Sequence, residues 1–400
     1  MLGYITLSLI LFWGGLLGYY ARDLRRNWRE PVLRYPVVIF ESDDWGAGPL
    51  DQASALKQLQ EILARFIDAL GRKPVATLGV ILAAADTRRI RNTGGVEYFS
   101  ASLSEPCYAP LLEVMKEGLR KGVFALHLHG MEHYWPPTLM QVAAKDMNVR
   151  DWMQTEGIPS TESLPSHLQA RWTDASVLPS RALEKTPQLA AITEEASLFG
   201  RCFSVRPRVA VATTFVWTEE VEAAWAREGI DVIITPGVRY TCRDASGKPG
   251  GEDKRMLNGE LSKNGQIYLV RDVYFEPMLG HTPERLVNDA KERARLGRPC
   301  LVEMHRLNFI GAAENCESSL RVLEAALEKL QRTFPEIRYM TSLELAEAIG
   351  TKMPALVETE LTPRIRIWLR RIEQIRGFAK LAKISGLAIP LWMIGKAIGV

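Results

Sequence analysis

Cysteine is scarce and scattered in this chain. The five, Cys107, Cys202, Cys242, Cys300 and Cys316, form no CxxC pair. That excludes a disulfide framework and a cysteine zinc site, and it favours a reducing compartment. An excess of one charge is also missing. A net charge of +3 on 400 residues gives no basis for nucleic-acid binding, so no nucleic-acid partner is expected. Internal repeats and low-complexity runs are absent too, which excludes solenoid arrays. What is present is an ordinary globular mixture, 47% hydrophobic and 24% charged, long enough for one large barrel or two smaller domains.

The two ends depart from that mixture. Residues 1–20 carry no charged side chain and are long enough for a bilayer core. They lack the basic start and small-residue cleavage site of a secretory signal, so residues 1–21 read as a retained transmembrane anchor, with an atypical signal peptide as the alternative. Arg22, Arg25, Arg26 and Arg29 follow it. The positive-inside rule then gives a single-pass cell-membrane protein with its bulk on the cytoplasmic side. In the tail, 360–400, apolar residues recur at helical spacing over 364–383 with Arg and Lys between them. Such a basic amphipathic helix suits an anionic membrane surface, or packs on the protein's own core.

Between the ends, apolar runs at 37–41, 74–82, 123–129, 231–235, 266–273, 300–305 and 337–340 alternate with helical patterns at 51–70, 109–121, 218–228, 283–296 and 318–332. Continuously apolar strands alternating with helices predict a parallel sheet covered by helices, and seven or so strands over 35–350 suit a barrel. The segments 134–184 and 244–264 read as insertions on one face.

Asp43 and Asp44 end the first apolar run, at the strand end where a barrel carries its active site. Adjacent strand residues face opposite ways, so both acids reach one site only if the chain turns, which Gly46 permits. The plainer alternative is an Asx turn that caps a helix. His129 and His133 end another run, and three of the six histidines fall within 125–134. Two histidines and a carboxylate form a set that holds zinc or another divalent metal with positions left open for water and substrate. His127 shares a strand face with His129 and reads as supporting or structural. His305 ends a further apolar run.

These motifs resemble the polysaccharide deacetylase family, the NodB-like metal-dependent carbohydrate N-deacetylases. Its Thr-Phe-Asp-Asp-Gly block appears as Glu41-Ser42-Asp43-Asp44-Trp45-Gly46, its His-x-x-x-His block as His129 to His133, and its late Leu-x-His block as Val302-Glu303-Met304-His305. The resemblance implies an α/β fold, a deformed seven-stranded (β/α) barrel. It also implies that Asp43 is the general base, that Asp44, His129 and His133 hold the metal, zinc by this reading, and that His305 is the general acid. Arg206, in Arg206-Pro207-Arg208, would tune the base, and Asp272 would partner the acid histidine. The expected function is hydrolysis of the N-acyl group of an amino sugar, in a glycan or in a lipid-linked precursor if the barrel is cytoplasmic.

Three rival readings use the same residues. His129-Gly130-Met131-Glu132-His133 matches the inverzincin metalloprotease signature, which needs a helix and leaves the acid pair unexplained. A mononuclear iron oxygenase uses the same ligand types, but on a double-stranded β-helix. A non-catalytic glycan-binding barrel is the third.

Overall fold

The computed structural model describes residues 2–397, with side chains described at Tyr4 and from Leu7 onward. Met1, at the start of the expected anchor, and residues 398–400, at the end of the expected tail, lie outside the described residues.

Among the described residues nine strands form one parallel sheet: β1 (Val37–Gly46), β2 (Ala76–Ile81), β3 (Phe124–Gly130), β4 (Val209–Val211), β5 (Val232–Thr235), β6 (Ile267–Val270), β7 (Val273–Tyr274), β8 (Cys300–His305) and β9 (Arg338–Tyr339). Their order is β6-β5-β4-β3-β2-β1-β8-β7, with β9 beside the start of β1. The strands β6 and β7 are two halves of one run, broken at Arg271 and Asp272. The first half pairs with β5 and the second with β8, so this segment meets both edges and the sheet curls. All seven expected runs are strands. The short β4 and the long helix Lys185–Phe203 were not anticipated. Three residues are too few to show a period, and that helix lies next to a segment read as an insertion.

The sheet's inner face is graded. Val37, Ile39, Val211, Ile234, Leu269 and Leu301 fill its floor together with Leu345 and Ile349 of the helix Ser342–Gly350. Above them Glu41, His127, Arg271 and Glu303 form a polar layer, and the strand ends carry Asp43, His129 and His305. The two-residue period of β1, β3 and β8 places these side chains on one face. Outward residues such as Val38, Phe40 and Val302 pack under the covering helices.

Among the described residues no single helix is long and apolar enough to cross a membrane. Leu2–Tyr19 is helical, with Leu7–Tyr19 a shorter apolar helix, so the anchor expected for residues 1–21 gains no support. The tail also differs from one continuous amphipathic helix. It breaks into Leu361–Ile372, Arg376–Ile384 and Ala388–Ala397. The first of these docks on the protein itself: Arg371 is buried and donates to the carbonyls of Leu296, Glu30 and Pro31, each at 2.8 Å.

Candidate metal centre

The turn that brings both acids to one site lies at Asp44 itself. Asp44 has φ +73°, and the pairing of β1 with β2 shifts between Ser42 and Trp45, a β-bulge. The extra residue turns Asp44 onto the face already occupied by Asp43. Gly46 does have positive φ, +121°, but its need is a close approach: a Cβ there would lie 2.1 Å from the Ile81 carbonyl oxygen. Gly79 on β2 makes room for the Asp43 carboxylate, because a Cβ at Gly79 would lie 2.3 Å from Asp43 Oδ1. That spacing was not legible in the sequence.

The strand β3 delivers His129, and a turn begun at Gly130 (φ +130°) returns His133 to the same point. Nδ1 of His129 lies 3.0 Å from the Val211 carbonyl oxygen, which can only accept. A ring proton therefore sits on Nδ1, and Nε2 is the atom turned toward Asp44. The Nε2 atoms of His129 and His133 stand 3.3 and 3.1 Å from Asp44 Oδ1. Neither approach has hydrogen-bond geometry, and Oδ1 is buried without a partner. Three ligand atoms within 4.8 Å of one another, all buried, form a set that would suit a divalent cation. The donor set fits the expected metal, with Asp44, His129 and His133 as its holders.

This geometry does not match a helical His-x-x-Glu-His site. His129 ends a strand, and Glu132, the base in that reading, points away to Arg171 Nη1 at 2.7 Å.

Asp43 lies beside the triad, with Oδ2 accepting from Arg271 Nη2 at 2.6 Å and Oδ1 free of partners. Burial alone would raise its pKa. The Arg271 charge, with His129 and His305, outweighs that and holds the carboxyl below the usual range. The arginine that meets Asp43 is thus Arg271, whereas Arg206, expected in that place, is exposed in the loop before β4. Strand parity held this signal: Leu269, Arg271, Val273 and Phe275 are buried in alternation, whereas Asp272 and Tyr274 are not.

The same parity corrects the partner of the histidine on β8. His305 Nδ1 meets Glu276 Oε1 at 2.5 Å, and Asn308 Nδ2 donates to the other Glu276 oxygen. Asp272 faces outward and pairs with Arg293 Nη1 at 3.1 Å. Burial opposes an imidazolium at His305, yet Glu276, Asp44 and Asp43 lift its pKa to about 10. His305 is the register partner of Asp43 across β1 and β8, so the two stand side by side at the strand ends that line the cavity. Its Nε2 lies 3.9 Å from Glu303 Oε1, and Glu303 Oε2 lies 3.6 Å from Arg271 Nε. Deeper in the sheet, His127 Nε2 stands 3.7 Å from Glu41 Oε1 and touches none of the triad, a supporting place.

These groups line one open cavity of about 370 Å³, bounded further by Glu162, Phe215 and Tyr274.

No family model and no curated protein matches the chain. Among solved structures it is similar to the Xyl-CE4 domain of a multidomain xylanase from the hindgut metagenome of Trinervitermes trinervoides, at 13% identity and TM-score 0.35, covering 79% of this chain and 92% of that one. It is also similar to the peptidoglycan deacetylase PdaC of Bacillus subtilis, at 12% identity and TM-score 0.37, covering 80% and 95%. A CE4 family pseudoenzyme from Bacillus anthracis matches at 11% identity and TM-score 0.35, covering 78% and 66%. Scores at this level leave the functional reading to the side chains themselves.

Proposed function

We propose that this chain is a metal-dependent hydrolase that removes an N-acyl group, acetyl in the first instance, from an amino sugar in a glycan or lipid-linked glycan. One observation carries the reading: a buried two-histidine, one-aspartate triad shares one cavity with a carboxyl held by Arg271 and an imidazole held by Glu276. A cation held by Asp44, His129 and His133, zinc by the donor types, would supply Lewis acidity to an acyl oxygen and acidify a water.

The remaining work falls to the chain's own groups. Asp43 Oδ1, without a hydrogen-bond partner, is the atom that accepts a proton from the attacking water. Arg271 on Oδ2 keeps that carboxylate ionised and fixes its rotamer. His305 carries a proton toward the leaving nitrogen on Nε2, because Glu276 holds its Nδ1 side. Breaking an amide requires both transfers, since the amine leaves only when protonated.

The test is Asp43→Asn in the full chain, assayed for acetate release from N-acetylglucosamine oligomers and for bound zinc. The proposal expects zinc retained and hydrolysis lost by about 10²–10⁴-fold. An inactive wild type that still binds the oligomers would instead favour the glycan-binding barrel.

A further inference from the structure

The two chain ends, far apart in sequence, are built into one unit. Trp13 Nε1 in the N-terminal helix donates to the Ser385 carbonyl at 3.0 Å, and Trp368 Nε1 in the tail donates to the Leu24 carbonyl at 3.0 Å. Leu16 and Leu24 share a small apolar core with Leu369, Ile372, Phe378 and Leu387, separate from the core of the sheet. Tyr20 sets its ring edge-on to Phe378 at 5.6 Å. The contacts engage one side of each end helix and leave the rest bare.

That bare surface is apolar. Leu7, Leu11 and Phe12 are 56%, 67% and 51% exposed, and Ile389, Trp392 and Met393 are 62%, 61% and 59% exposed. Exposed apolar side chains on two helices that share one core mark a docking site. Its rim is of one sign. On the tail Arg376, Lys380, Lys383 and Lys396 are exposed, against the one exposed acid of 361–397, Glu373, and Arg22, Arg25 and Arg29 are exposed on the helix after the N-terminal one. A second copy would bring the same basic rim against itself. An anionic bilayer complements both parts, with apolar side chains in the acyl region, aromatic rings at the boundary and cations at the headgroups.

We propose that the helices Leu2–Tyr19 and Ala388–Ala397 together form one docking face for a bilayer containing anionic lipid. The attachment is shared, because Leu2–Tyr19 packs its Trp13 and Leu16 on the tail. This inference is independent of the chemistry at the triad.

The test is flotation of the full chain with vesicles of phosphatidylcholine alone and with added phosphatidylglycerol. Ile389→Asp with Trp392→Asp removes apolar surface from the tail while leaving the N-terminal helix intact, and is expected to lower vesicle binding about tenfold or more. Lys380→Glu with Lys383→Glu is expected to abolish the preference for anionic vesicles and spare binding to neutral ones. Unchanged circular dichroism and urea unfolding of both variants show that they fold. Wild-type binding by the tail double variant would overturn the shared face, because the N-terminal helix would then suffice. A wild type that ignores both vesicles and sediments as a dimer would overturn the bilayer as its occupant.

Discussion

Arg271→Met places a neutral side chain of similar length in the polar layer of the sheet. Arg271 is 1% exposed and faces three carboxylates, Asp43 at 2.6 Å, Glu41 at 3.5 Å and Glu303 at 3.6 Å, with its guanidinium 5.0 Å from the Phe215 ring centre. Unit charges about 4 Å apart at an effective dielectric near 20 interact by about 4 kcal/mol. The loss of that attraction alone raises the Asp43 pKa by roughly three units. Removing one partner of a buried pair typically costs about 3–5 kcal/mol, because the remaining charge stays buried. The expected result is a stability loss of about 3–5 kcal/mol in urea unfolding at neutral pH, easing as pH falls and Asp43 protonates. The acid limb of the activity profile should move toward neutrality, since Asp43 must be ionised to act. Arg206→Ala, at an exposed loop position, should change stability by less than about 0.5 kcal/mol. A tolerated Arg271→Met, or an Arg206→Ala that matches it, would refute the assignment of Arg271.

Three further substitutions probe the surroundings. Gly79→Ala places a Cβ against Asp43 Oδ1 and should cut kcat by about 10²-fold while zinc binding persists in calorimetry. Glu276→Gln removes the charge that helps hold a proton on His305, so the alkaline limb of the pH–rate profile should move to lower pH. Glu41 is buried, and desolvation outweighs Arg271 and Ser342 to raise its pKa from 4.5 to about 7. The folded state then binds the proton more tightly than the unfolded chain, so stability falls as pH rises from 4.5 through 7, by up to about 3 kcal/mol. Glu41→Gln should flatten that slope in unfolding measured across the window.

Much of the fold was legible because its strands are continuously apolar and end in unusual residues. The run 300–305, for example, is apolar up to Glu303 and closes on His305. The triad was legible because two histidines and an acid pair have few other reasons to stand at strand ends. The tuning residues were harder. Asp272 lies one position from the inward-facing Arg271, and a strand slipped by one residue shows its other face. Glu276 lies beyond the strand and reaches His305 only through a turn that Asn308 helps to hold. The bulge at Asp44 is a backbone event with no residue-type signature, since the nearby glycine serves a different contact.

The most direct test of the central claim titrates metal-free full chain with zinc while following acetate release from an N-acetylglucosamine oligomer. The triad predicts that activity rises to a plateau at one zinc per chain, and that Asp44→Ala neither binds that zinc nor releases acetate. Acetate release indifferent to zinc, or retained in Asp44→Ala, would contradict a hydrolytic centre at Asp44, His129 and His133.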